Sequence, residues 1–199
     1  MSNIFATADL HFGHDRAFIW GARGFKSIEE HDAEIIKRWN EVVTAEDDVY
    51  ILGDLMLGDN AHGIYCLSQL NGKLHILTGN HCTSARQELY HTLENMVEFC
   101  GCATTIKYKK QQLYLSHYPT ITSNMEEGGA PIKAKVINLC GHSHIKNRFK
   151  DMDKGLIYHV EIDCHNNFPI SLDEILFDIN HFISMDKNDQ IDIVKKDIY

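Results

Sequence analysis

Short apolar runs that stop abruptly on aspartate, asparagine or histidine recur along this 199-residue chain, and they restrict its fold more than any other feature. Residues 4–8 run into Asp9-Leu10-His11-Phe12-Gly13-His14, residues 49–52 into Gly53-Asp54, and residues 74–78 into Gly79-Asn80-His81. Runs of this length, rich in β-branched residues, suit buried strands, and polar groups delivered at strand C-termini are how an α/β sheet presents a site. Ser27 with Glu30 three residues on is a capping-box signature, and Ile35, Ile36, Trp39, Val42 and Val43 then share one face, which predicts a helix over 28–43. Further helices are expected at 61–70 and 83–94. Strand, polar loop and helix, three times in succession, predict βαβ crossovers and a largely parallel sheet.

The second half is strand-rich. Strands are expected at 104–108 and 113–116, joined by a turn at Lys109-Lys110-Gln111, the second running into His117-Tyr118-Pro119. Residues 120–135 have no periodicity and read as a loop. A strand at 136–140 ends on Gly141-His142-Ser143-His144, and another is expected at 156–163. The tail from His181 is polar and weakly patterned. With no internal repeat or linker, a single domain over 1–199 is expected.

Composition excludes several function classes. No apolar run approaches the roughly 20 residues of a membrane span, and the N-terminus has no basic leader before an apolar core, which places the chain in a cytoplasm. The six cysteines form no C-x-x-C pair and are expected to stay reduced there. A formal charge of -9 opposes polyanion binding, because nonspecific nucleic-acid affinity comes from Lys and Arg displacing counterions. Thirteen histidines against 19 Lys plus Arg is a high share, and neutral imidazole is the commonest metal ligand.

Five of those histidines, His11, His81, His117, His142 and His144, fall at strand ends. If the strands lie side by side, their C-terminal ends share one rim, where Asp9, His11, Asp54, Asn80, His117, His142 and His144 converge from distant parts of the chain. Seven ligands exceed the needs of one tetrahedral ion and suit two ions sharing a carboxylate.

Asp9-x-His11, Gly53-Asp54, Gly79-Asn80-His81, His117 and Gly141-His142-x-His144 occur in the order of the calcineurin-like metallophosphoesterase family, and over residues 4–178 the chain resembles a small bacterial or phage-type member. The resemblance implies a four-layer α/β/β/α sandwich with two mixed β-sheets. It implies one divalent ion on Asp9, His11 and His144, a second on Asn80, His117 and His142, and Asp54 bridging them. His81 becomes the catalytic histidine, beside the leaving group. The implied activity is hydrolysis of a phosphodiester, or an activated phosphomonoester, by a metal-bridging hydroxide. Nitrogen and oxygen ligands suit Mn, Fe, Zn, Ni or Co. Cys82 stands where the family often carries Asp or Glu.

Other residues carry weaker signals. His14 and Arg16 follow the first block and are candidate phosphate contacts, with a surface or helix-cap role the plain alternative. Arg23 and Arg148 carry less. His31, His62, His75, His91, His159, His165 and His181 share no pattern and read as structural or exposed; Cys82 and Cys140 read as small buried filler. Two other functions are weighed: a nuclease on short or single-stranded ends, which needs a basic, aromatic-lined groove, and a silent phosphoesterase-like scaffold for protein partners. The partner expected on the leading reading is a small phosphoester, with no membrane; the acidic balance disfavours nucleic acid without excluding it.

Overall fold

The computed structural model describes residues 2–122 and 136–196. Nearly all of the expected 120–135 loop lies outside them. The chain runs β1 (Ile4–Thr7), α1 (Ala17–Trp20), α2 (Ile28–Val42), β2 (Asp48–Ile51), α3 (Asn60–Leu67), β3 (Lys73–Ile76), α4 (Ser84–Tyr90), β4 (Met96–Phe99), β5 (Ala103–Tyr108), β6 (Gln111–Ser116), β7 (Val136–Cys140), β8 (Ile157–His159), β9 (Ile170–Ser171), α5 (Leu172–Ser184) and α6 (Lys187–Lys195).

Two mixed sheets result. The first has the order β4-β3-β2-β1-β9, parallel except where β9 runs antiparallel to β1. The second has the order β5-β6-β7-β8; the β5–β6 hairpin is antiparallel, while β6, β7 and β8 are parallel. The hairpin turns on Lys109 and Lys110, both left-handed at φ 45° and 72°. This is the four-layer arrangement expected. Helices α1 to α4 cover the outer face of the first sheet over a core that includes Trp39, Ile51, Leu67 and Leu74. The facing sides of the two sheets, with α5 and α6, enclose a second core of Ala6, Leu52, Leu115, Leu139, Tyr158 and Ile179.

Local sequence sets the helix starts. The Ser27 side chain accepts from the Glu30 N–H, but Glu30 accepts from Lys26, so the reciprocal bond falls one residue earlier than in a capping box. The complete box is at α5, where Ser171 and Glu174 serve each other. Four expectations change. Helix α4 stops at Tyr90, and the edge strand β4 follows it unforeseen, its Met-Val-Glu-Phe sequence showing no alternation. The strand expected at 156–163 keeps only Ile157–His159, because Glu161 leaves its sheet to bridge Ala8 of the first and Ile162–Cys164 tightens into a 3-10 turn. The tail is helical: Asp186 caps α6 by accepting from Asn188 and Asp189, Val194 is buried, and Asn147 donates to the carbonyls of Ile193 and Lys196 at its end.

Trp39 is fully buried at the centre of the first core, and its indole N–H donates to the Asn71 carbonyl at 2.9 Å. Trp39→Ala removes that bond and opens a cavity, so urea denaturation is expected to show a loss of about 3–5 kcal/mol. A loss below about 1 kcal/mol would refute this placement.

Candidate functional site

Parallel strands place their C-terminal ends on one rim, and here the rims of both sheets meet. Asp9 and His11 follow β1, Asp54 follows β2, and Asn80 and His81 follow β3; His117 follows β6, and His142 and His144 follow β7. The bridge from Ala8 to Glu161 and the bond from the Ile162 N–H to the Ala8 carbonyl lock the rims together. Backbone must then approach side chain closely. A Cβ on Gly79 would strike the Asp54 carboxylate, and one on Gly141 would strike Asp9 Oδ2, which explains a glycine directly ahead of each of these ligand blocks.

The donor atoms form two groups. In the first, His11 Nε2 lies 3.1 Å from His144 Nε2, with Asp9 Oδ1 at 3.7 and 3.8 Å from them. In the second, Asn80 Oδ1 lies 2.8 Å from His117 Nε2 and 2.9 Å from His142 Nδ1, and these two nitrogens are 3.2 Å apart. Asp54 Oδ2 faces both groups, 3.9 Å from His11 Nε2 and 3.4 Å from His117 Nε2. Each carboxylate is anchored through its other oxygen: Asp9 Oδ2 accepts the His142 N–H at 2.7 Å, and Asp54 Oδ1 accepts the His81 N–H at 2.9 Å.

This donor set fits cations. His117 Nδ1 must donate to the Leu52 carbonyl at 2.8 Å, so in the neutral ring the Nε2 lone pair points at the Asn80 and Asp54 oxygens. His144 Nδ1 donates to Asp163 Oδ2 at 3.1 Å, which turns its Nε2 lone pair toward His11. Asp9 Oδ1 is buried with no hydrogen-bond partner. Lone pairs aimed at lone pairs in a buried site need a positive charge between them, either a proton or a metal ion. Burial works against charge on His117 and His144, yet Asp54 and Asp9 raise the first, and Asp163 and Asp9 the second, above the ordinary histidine value. Burial, by contrast, drives His11 well below that value.

The backbone is strained to make this arrangement. Asp9, His11, Asp54, His142 and His144 all have left-handed φ, between 49° and 75°. Each such residue costs of order 1–3 kcal/mol and clusters of them mark functional sites.

A cleft of about 420 Å³ opens over the groups, with Phe18, Ile19 and Leu57 as an apolar wall and Lys146 at its margin. His81 lines it with its side chain 38 % exposed, and its Nε2 is 4.0 Å from Asp54 Oδ2. Arg86 donates to the His81 carbonyl at 2.6 Å, so that residue is pinned at both ends of its backbone. Cys82 points away, its thiol 3.7 Å from the Tyr90 hydroxyl in the core. His14 also lines the cleft; burial, then His11 and His81, lower its pKa to about 4, so at neutral pH it is an uncharged imidazole. Arg16 is exposed and outside the lining.

Sequence reasoning missed what lies beneath. Arg23 is buried and donates to both oxygens of Asp163 at 3.0 and 2.7 Å, to the Asp9 carbonyl at 2.7 Å and to the Leu10 carbonyl at 3.2 Å. Burial raises the Asp163 pKa, but the Arg23 charge and the His144 bond outweigh it and hold the carboxyl far below its ordinary range. Asp163 follows β8, so the signal that marked the other strand ends was present there. Lys146 and Arg86 carried no local pattern.

The calcineurin-like phosphoesterase superfamily domain matches residues 3–160. An uncharacterized protein of Methanocaldococcus jannaschii, MJ1445, is 39% identical over 182 residues, covering 88% of this chain and 90% of that protein. The Gene 66 protein of Mycobacterium phage D29 is 26% identical over 192 residues, covering 88% and 94%. A crystal structure of a protein of unknown function from Aquifex aeolicus, AQ665, shares the fold at a TM-score of 0.62 and 22% identity, covering 89% of this chain and 99% of that one.

Asp163→Asn leaves Arg23 with an unpaired buried charge and His144 without its anchor. The expected result is a loss of about 3–5 kcal/mol in chemical denaturation and a 10–100-fold loss of divalent-metal affinity by calorimetry. Unchanged metal affinity would show that Asp163 does not position His144.

Proposed function

The chain belongs to the calcineurin-like phosphoesterase superfamily, a family of metal-dependent phosphoesterases, and from that premise we propose that it hydrolyses a phosphodiester or an activated phosphomonoester at a centre of two divalent ions. The observation that carries the reading is the pair of donor groups with Asp54 Oδ2 facing both. Asp9, His11 and His144 would hold one ion and Asn80, His117 and His142 the other, with Asp54 shared. When bound, the ions supply positive charge for the phosphate oxygens and an activated water. Mn, Fe, Zn, Ni and Co all suit these nitrogen and oxygen donors.

The remaining roles belong to the chain's own groups. The Leu52 carbonyl and the Asp163 carboxylate fix the tautomers of His117 and His144, so the ligand lone pairs are aligned before anything binds. His81 stands at the rim, held by Asp54 and Arg86, where it can give a proton to the departing oxygen. Lys146 supplies positive charge at the margin, His14 a neutral polar contact, and Phe18 with Leu57 a surface for an apolar or aromatic leaving group.

Lys146 is the one Lys or Arg lining the cleft among the described residues, which favours a small phosphoester over a polynucleotide. The scaffold reading loses support because every expected ligand and His81 is present and convergent. No described helix is long and apolar enough to cross a membrane. Six free thiols fit work in a reducing cytoplasm, as one catalytic domain.

Protein purified without chelator should carry two ions in this centre and hydrolyse bis-p-nitrophenyl phosphate faster than the monoester. His81→Ala should lower kcat by about 10²–10⁴ while retaining the ions. Asp54→Ala should lose both ions and activity. Full activity in His81→Ala would remove its catalytic role, and a folded wild type that binds no divalent ion would remove the enzyme reading.

A further inference from the structure

Helices α2 and α3 bring together another set of donors, apart from the rim. His62 and Cys66 are four residues apart on α3 and so share a face, and Asp32 reaches them from α2. His62 Nε2 is 2.7 Å from Asp32 Oδ2 and 3.4 Å from Cys66 Sγ, and Sγ is 4.0 Å from the same oxygen.

A hydrogen-bonded relay uses the two ring nitrogens of a histidine for two different partners. Here the carboxylate and the thiol both converge on Nε2, which has one proton or one lone pair to offer. The three atoms form a triangle of sides 2.7, 3.4 and 4.0 Å. Its corners are all about 2.0 Å from one common point, close to zinc bond lengths of roughly 2.0–2.2 Å to nitrogen and oxygen and about 2.3 Å to sulfur.

The surroundings are those of a held ligand. Arg23 Nη1, which can only donate, lies 2.9 Å from His31 Nε2, so His31 carries its proton on Nδ1 and donates to Asp32 Oδ1 at 2.7 Å. The Gly13 N–H donates to Asp32 Oδ2 at 3.0 Å. Asp32 is therefore oriented from outside, with Oδ2 turned to His62 and Cys66. Asp32 and Cys66 are buried, while the His62 side chain is 42 % exposed, so the point between them is open to water on one side.

We propose that Asp32, His62 and Cys66 form a site for a single zinc ion, distinct from the centre under the cleft and sharing no ligand with it. Thiolate, imidazole and carboxylate together favour zinc over the harder manganese, and three protein ligands leave a fourth position for water. Burial and then the Asp32 charge push the free thiol up to about 12, so binding displaces its proton. The site touches the rim through Gly13, two residues after His11, and through the Arg23–His31 link.

Cobalt(II) titration of the full-length protein tests this. The wild type is expected to show a near-ultraviolet thiolate-to-cobalt charge-transfer band whose full amplitude corresponds to one thiolate-bound cobalt per chain and which zinc bleaches. Cys66→Ser and His62→Gln should each abolish the band, and zinc content measured by elemental analysis should fall by one ion per chain. His62→Gln changes a half-exposed side chain, so it decides the matter if the buried cysteine variant fails to fold. No band in the wild type, or a band that survives in folded His62→Gln, overturns the proposal. Two ions retained by His62→Gln keep this outcome separate from that of the centre under the cleft.

Discussion

Everything at the rim depends on electron pairs buried face to face. Two imidazole pairs stand 3.1 and 3.2 Å apart, beside two carboxylates whose remaining oxygens already hold backbone N–H groups. Such a cluster repels itself, and the fold sustains it by strained backbone and by a buried arginine beneath. Arg23 is the counterweight: it neutralises Asp163, which orients His144, and it grips the Asp9 and Leu10 carbonyls that carry the first ligand loop. The chain spends stability on an arrangement that makes sense only with positive charge in its middle.

The parallel register is what allows residues so distant in sequence to meet. Because β1, β2 and β3 are in parallel register, as are β6 and β7, each strand delivers its last residues to the same edge. The sheets then share a core of small and branched side chains, such as Ala6, Ala8, Leu115 and Leu139, which brings the two edges within reach of each other. The meeting of metal-type donors follows from topology here, since no two members of the second group, Asn80, His117 and His142, are neighbours in the chain.

Much of this was legible in the sequence for a physical reason. Strands that end on Asp, Asn or His carry a local signature, so β1, β2, β3, β6 and β7 and their terminal polar groups could be read directly. The α2 helix was equally plain from Ser27 and the Trp39 stripe. Features fixed by long-range contact were not. Strand β4 exists because β3 offers it an edge, and α6 because Asn147 and the second core receive it. Arg23 has no pattern of its own, and the i, i+4 pair His62 and Cys66 is too short a signal alone; each gains a partner only when Asp163 or Asp32 arrives from elsewhere in the chain. Cys82 departs from the family pattern, and the structure turns it inward to Tyr90.

The lysine turn between β5 and β6 has a consequence for how the protein comes apart. Two non-glycine residues in left-handed conformation make a costly turn, even where such a turn matches the strand twist. Support comes from the start of α5, where the Asp173 carboxylate binds Lys109 Nζ at 2.5 Å and the Tyr108 hydroxyl at 2.8 Å, across 65 residues. The edge strand β5 and helix α5 are thus tied across the chain, and a pair held at its exposed end is expected to open as one unit before the inner strands β6 and β7 do.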